Sequence, residues 1–165
     1  MSKTIVIIGN GAGGSQTAAE LQKSLKKNNK THKIIVISAL DYVEVSVSMT
    51  KILAAGTTEH ESALYDAVRE DGIEYIVDSC EKLANDHLMT SKGNKIPFDI
   101  CIVATGQSYP IFMPKLTDTK KEDRISFIND LNKKIISSKN IVVSGGGAVG
   151  CEVAADIKLR YKDIK

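Results

Sequence analysis

Residues 4–14 read Thr4-Ile5-Val6-Ile7-Ile8-Gly9-Asn10-Gly11-Ala12-Gly13-Gly14, and the fold turns on this stretch. Thr4–Ile8 is a short β-branched apolar run without alternation, the pattern of a parallel strand covered on both faces. Glycines break it abruptly. A helical pattern follows, with Ala18, Leu21 and Leu25 on one face and Lys23, Lys26 and Lys27 on the other. Asn28-Asn29-Lys30 closes that helix, and Lys33–Ile37 is a second apolar strand. Thr4 to Ile37 is therefore one βαβ unit of about 30 residues. Its right-handed crossover makes the two strands parallel.

Working outward, Ser38–Thr58 is polar and rich in small residues, with a short helix expected near Met49–Ala55. Glu59–Asp71 reads as a helix stopped by Gly72, and Ile73–Val77 as a third strand. His87–Thr90, a turn at Ser91-Lys92-Gly93-Asn94, and Lys95–Ile96 predict an antiparallel meander. Phe98–Ala104 is another strand, ending at Thr105-Gly106. A loop from Gln107 to Lys121 carries Pro110 and Pro114. Lys121–Ser137 is an amphipathic helix with Ile125, Ile128, Leu131 and Ile135 inward. Asn140–Ser144 reads as a strand, Gly145–Gly150 as a second glycine turn and Ala148–Tyr161 as a helix. The strand–glycine turn–helix unit thus occurs twice.

Length and composition bound what such a chain does. At 165 residues it holds one domain of ordinary size. With 42% apolar and 25% charged residues it has the make-up of a folded globular chain. A net charge of +2 argues against a nucleic-acid binder. No apolar run approaches the ~20 residues of a membrane span, and Ile5–Ile8 is too short for a signal peptide. Cys80, Cys101 and Cys151 form no CxxC and read as reduced thiols, mostly buried small residues. His32, His60 and His87 are scattered, so no metal site is expected. Lys26, Lys27, Lys30 and Lys33 read as a solvated helix end.

The glycines carry the chemistry. Gly9, Gly11 and Gly14 fit GxGxxG directly after a strand and at the opening of a helix. Gly9 serves the tight turn, Gly11 the close approach of backbone to a pyrophosphate, and Gly14 the packing of helix on strand. The pyrophosphate then meets the free N–H groups of Ala12, Gly13 and their neighbours at the positive end of the helix. The acid that would bind a ribose hydroxyl at the end of the second strand is replaced by Ser38, a weaker, uncharged partner. Asp41 is a nearby substitute. Gly145, Gly147 and Gly150 repeat the GxGxxG spacing.

The order of these motifs, with Ile102-Val103-Ala104-Thr105-Gly106 between them and Glu152 just after the second, resembles the two-dinucleotide-domain flavoproteins, the pyridine nucleotide–disulfide oxidoreductase superfamily. Within it the likeness is to the ferroptosis-suppressor and apoptosis-inducing-factor-like branch. The resemblance implies that the first glycine motif binds FAD, that Ala104-Thr105-Gly106 closes the FAD domain against the flavin, and that Gly145, Gly147 and Gly150 bind NAD(P)H. It implies an α/β fold: a Rossmann-like FAD-binding parallel sheet with an antiparallel meander, then the first βα unit of a second Rossmann-like NAD(P) domain. Residues 1–106 would be most of the FAD domain, 107–139 a connection, and 140–165 the opening of the NAD(P)H domain. On this reading the chain is the N-terminal part of a longer enzyme.

The implied reaction moves a hydride from NAD(P)H to FAD and then electrons to a quinone. Hydride transfer requires no acid–base constellation, so no catalytic side chain is named. The redox CxxxxC of the disulfide reductases is missing, as no cysteine precedes Cys80. Position 2 is Ser2 where a myristoylation motif demands glycine, so that anchor is excluded. The expected setting is cytoplasmic, with peripheral contact to membranes left open. Several residues keep two readings. Lys51 falls where that branch has an arginine near the cofactor, or is a surface lysine. Asp78 and Ser79 lie where relatives hold adenine with backbone groups, or are a plain strand end. Glu152 lies near the nicotinamide, or is favourable charge in the first turn of the last helix. The rival to an oxidoreductase is a truncated, non-catalytic nucleotide-binding or interaction module.

Overall fold

The computed structural model describes residues 2–56, 63–67, 69–107 and 119–165. The chain divides into two compact units, Met1–Val43 with Asp66–Ser108, and Glu44–Tyr65 with Tyr109–Lys165.

The first unit is built on a parallel four-stranded sheet in the order β5-β2-β1-β9. These strands are β1 (Thr4–Ile8), β2 (Lys33–Ser38), β5 (Ile73–Val77) and β9 (Ile100–Val103). β1 pairs with β2 from Thr4 opposite Lys33 to Ile8 opposite Ile37, and with β9 from Ile5 opposite Ile100 to Ile8 opposite Val103. The continuous apolar runs follow from burial on both faces. On one face Ile7, Ile34 and Val36 pack against Ala18 and Leu25 of helix α1 (Ala12–Lys27). On the other, Val6, Ile8, Ile35 and Ile37 meet Leu88 and Ile96 of a three-stranded meander. That meander is β6 (Cys80–Leu83), β7 (His87–Thr90) and β8 (Lys95–Pro97), all antiparallel. Each fully buried Ile or Val contributes about 1.5–3 kcal/mol relative to exposure.

β3 (Tyr42–Glu44) and β4 (Leu64–Asp66) form a separate two-stranded sheet. This corrects the helix expected over Glu59–Asp71. Leu64–Asp66 is extended, because β3 offers it a backbone partner, and the Val45 N–H donates to the Ala63 carbonyl beside it at 2.8 Å. Residues 59–62 and 68 of that expected helix lie outside the described residues, as does most of the loop expected from Gln107 to Lys121.

In the second unit the expected short helix is α2 (Met49–Ala55), and the expected amphipathic helix is α3 (Lys121–Ser137). α4 (Ala148–Arg160) completes the set. The buried stripe of α3 is not the purely apolar one expected. It runs Arg124–Ile128–Asn132, and Ile125, Leu131 and Ile135 flank it half-buried. Arg124 is buried because Glu44 is buried with it. Nε donates to Oε2 at 2.8 Å and a terminal nitrogen to Oε1 at 3.0 Å. Asn132 is buried because its Nδ2 donates to the carbonyls of Leu53 and Ala54 at 3.1 and 2.7 Å, ending α2. The strand expected over Asn140–Ser144 is also corrected: residues 141–146 form no regular element. A strand needs a continuous neighbour, and the bonds here are those to Lys165: the Ile141 N–H donates to its carbonyl and its N–H donates to Lys139.

Candidate functional site

The turn after β1 is held from two sides. Its first glycine, Gly9, has φ +106°, and a side-chain carbon there would drive into the Ala104 carbonyl. The Gly9 N–H donates to Ile37 at 2.7 Å and the Ala104 N–H donates to Ile8 at 2.8 Å. The turn therefore lies directly against Ala104-Thr105-Gly106, where Thr105 and Gly106 are exposed and Gly106 again has positive φ. Gly14 is buried in the first turn of α1, and a carbon on it would collide with the Gly9 carbonyl. Helix and turn are thus fused backbone to backbone.

Gly11 and Gly13 behave oppositely. A carbon at either would point into open space, and Gly11, Ala12 and Gly13 are exposed. Gly11 is the N-cap of α1 and no side chain caps the helix. Ser15 makes the first helical bond, to the Gly11 carbonyl at 2.9 Å. The N–H groups of the first turn consequently have no partner within the helix, and no acidic side chain neutralises that end. Exposed main-chain N–H donors at an unblocked helix end are the arrangement on which anions are commonly held.

A narrow cleft beside this turn, at the carboxyl ends of β2 and β5, is lined by Asn10, Ser38, Leu40, Asp41 and Val77 among others. Ser38 sits at the end of β2 as expected, and its Oγ accepts from the Leu40 N–H at 3.2 Å. Asp41 is exposed. Asp78 is buried, and its carboxylate accepts from the Ser79 N–H at 2.8 Å, from the Ser91 hydroxyl and from the Lys92 N–H at 3.4 Å. Hydroxyls of Ser91 and then Thr90 hold its pKa down to about 2. Asp78 therefore ties the end of β5 to the β7–β8 turn, and its charge is spent inside the protein.

The second glycine turn reproduces the first in backbone detail. Gly145 has φ +118°, and a carbon on Gly150 would collide with the Gly145 carbonyl. Gly147 caps α4 with φ −75° and ψ 175°, beside φ −74° and ψ −169° for Gly11. Gly146 and Gly147 face open space. Glu152 is the fifth residue of α4, beyond the first turn where it was expected, and its carboxylate accepts from the Thr50 hydroxyl at 3.4 Å. Lys51 is exposed on α2 and lines a shallow hollow with Asp156 and Arg160 of α4. These residues belong to the second unit.

One residue escaped the sequence reading. Asn10 fills a variable position of GxGxxG, so nothing in the motif singles it out. It is 5% exposed, and its Oδ1 has no hydrogen-bond partner. Among the described residues no helix is long and apolar enough to cross a membrane.

A family model described as pyridine nucleotide-disulphide oxidoreductase matches residues 3–164. Apoptosis-inducing factor homolog A of Dictyostelium discoideum is 26% identical over 160 residues, 96% of this chain and 38% of that protein. Ferroptosis suppressor protein 1 of Mus musculus is 28% identical over 161 residues, 96% of this chain and 41% of that protein. Among solved structures, the sulfide:quinone oxidoreductase of Aquifex aeolicus superposes with a TM-score of 0.67 at 21% identity, over 97% of this chain and 41% of that one. The chain spans about two fifths of the length of these relatives.

Proposed function

The chain belongs to the pyridine nucleotide-disulphide oxidoreductase family, and from that membership we propose that it is the FAD-binding part of an FAD-dependent NAD(P)H oxidoreductase that delivers electrons to a quinone. The observation that carries the reading is the glycine turn after β1. Gly9 and Gly14 are locked by backbone contact, while Gly11–Gly13 lie open at an uncapped helix end. The residues fit the cofactor. The first-turn N–H groups would take its diphosphate, and the narrow hollow at Ser38, once opened on its loop side, its adenosine. Ala104-Thr105-Gly106, packed on the same turn, would border the flavin side. Bound FAD supplies a two-electron redox centre that accepts hydride and releases electrons onward.

The protein's own work in this reading is to bind, to orient and to leave the reacting atoms accessible. The turn at Gly145, Gly147 and Gly150 would receive the diphosphate of NAD(P)H, with Glu152 close to its nicotinamide end. Lys51 would add a charge-assisted contact to a cofactor phosphate. Residues 1–106 form most of the FAD domain on this proposal, 107–139 the connection and 140–165 the start of the NAD(P)H domain. The quinone acceptor draws support from the sulfide:quinone oxidoreductase sharing the fold. A cytoplasmic setting, with membranes touched only at their surface, belongs to the same proposal. Because the span is 38–41% of its relatives' length, flavin uptake rather than turnover is its expected property.

Purified chain incubated with FAD and desalted should be yellow, with a flavin absorption band. Gly11→Val should abolish the colour and keep the circular dichroism spectrum. Folded wild-type chain that takes up no FAD would overturn the proposal.

A further inference from the structure

Asn10 Oδ1 is a buried acceptor with no donor, and the usual reasons for asparagine in a glycine turn do not apply to it. Asparagine often serves the backbone, by tolerating left-handed φ or by capping a helix. Among the described residues Asn29 is the one non-glycine with positive φ. The N-cap of α1 is Gly11, with no side-chain bond. What remains is the side chain itself, 95% buried and wedged between the glycine turn and the cleft. An unsatisfied buried oxygen of this kind is a cost that a ligand donor would remove.

The cleft supplies the identity of that donor. Asn10 lines it together with Ser38 and Val77, the carboxyl ends of β2 and β5. In this fold the end of β2 ordinarily carries a carboxylate that accepts from a ribose hydroxyl. Here it carries Ser38, whose Oγ already accepts from Leu40. The Ser38 hydroxyl proton can donate, but a sugar hydroxyl also needs an acceptor. The rest of the lining is Leu40, Asp41, Ala67 and Arg69 from loops and Val36, Tyr75 and Ile76 from β2 and β5.

We propose that Asn10 Oδ1 accepts a hydrogen bond from a ribose hydroxyl of the bound adenosine, so that Asn10 and Ser38 read the sugar as a neutral acceptor–donor pair in place of a carboxylate. This rests on the reading of the first unit as an adenine dinucleotide site. It makes Asn10 a specificity residue, sensitive to a hydroxyl rather than to charge.

Isothermal titration calorimetry of the 165-residue chain with ADP, 2′-deoxy-ADP and 3′-deoxy-ADP tests it. Wild type should bind ADP about tenfold more tightly than one of the two deoxy analogues. Asn10→Leu should lower ADP affinity by about that factor, bring the ratio to about one, and leave the affinity for that analogue unchanged. Its ligand-free thermal midpoint should not fall, because an unsatisfied polar atom has been removed. Asn10→Asp keeps an acceptor and should retain the preference at neutral pH. Should Asn10→Leu fail to fold, Asn10→Ala carries the same comparison. Equal binding of ADP and both analogues by wild type overturns the inference. So does a preference that survives Asn10→Leu, or one that Asp41→Asn abolishes instead. Wild type that binds neither ADP nor FAD overturns the reading of the first unit as well.

Discussion

The α-carbon of Gly14 faces the carbonyl oxygen of Gly9 so closely that no side-chain carbon fits between them. Helix α1 is seated on the turn that precedes it through this contact. Gly14→Ala should therefore destabilise the protein by about 1–3 kcal/mol or more, as overpacking against immobile backbone does. Gly11→Ala adds a carbon in open space and should cost within about 1 kcal/mol, the range of N-cap exchanges. FAD uptake should show the reverse sensitivity in folded protein, with Gly11→Ala the more damaging. Urea unfolding and flavin binding, measured side by side, check both.

Arg124 and Glu44 give a second prediction. Both side chains are almost fully buried, and they meet through two parallel hydrogen bonds. Arg124→Met leaves a buried carboxylate without its partner and should cost about 3–5 kcal/mol. Adding Glu44→Leu to it should recover much of the loss, since two apolar groups replace the ion pair. Chemical denaturation of the two single variants and the double variant gives the coupling.

Asp78 predicts an acid limit. Its folded pKa is held at about 2, below the ordinary aspartate value of about 3.9. A depressed carboxylate contributes stability that is complete above the unfolded value and lost as pH falls through the folded one. Stability should therefore decline between about pH 4 and pH 2 in wild type. Asp78→Asn should be less stable at neutral pH and should lack this part of the decline. Unfolding curves at stepped pH test it.

Hydrogen exchange should separate the two glycine turns. The turn at Gly9 is anchored to Ile37 and Ala104 by ladder bonds. Residues 142–146 precede Gly147 without a strand. Their amides should exchange much faster than those of β1 and β2, while Ile141, bonded to Lys165, is slowed. Equal protection of 142–146 and β1 would contradict this.

The parallel core was legible because its signals are strong and local. Ile5–Ile8 and Ile34–Ile37 are unbroken apolar runs, Ile73–Val77 is apolar but for Glu74, and Gly9 to Gly14 leave no other turn. Lys121–Ser137 matched its helix because its pattern runs unbroken for 17 residues. The three-residue strands β3 and β4 were hidden, since three residues have no period. Leu64–Asp66 was drawn into a helix that tertiary pairing overrides. The burial of Arg124 and Asn132 was not legible because their partners, Glu44 and the end of α2, are some 80 residues away in the chain. Asp78 could not be read as a tie for the same reason: Ser91 reaches it from the next hairpin. Asn10 is the subtler case, as burial without a partner is invisible in any motif.

Both glycine turns present main-chain N–H groups and nothing else at their open helix ends. As the proposed diphosphate sites, these helix ends would contain no titratable side chain, so their share of the hold would rest on main-chain dipoles that do not change across the physiological pH range. They also have nothing to truncate. Alanine scanning of neighbouring side chains will pass over them, and the substitutions that silence them are those that add atoms to the turn. On the proposed reading, inherited change at Asn10 or Ser38 would alter what the cleft selects while the grip on phosphate stays untouched.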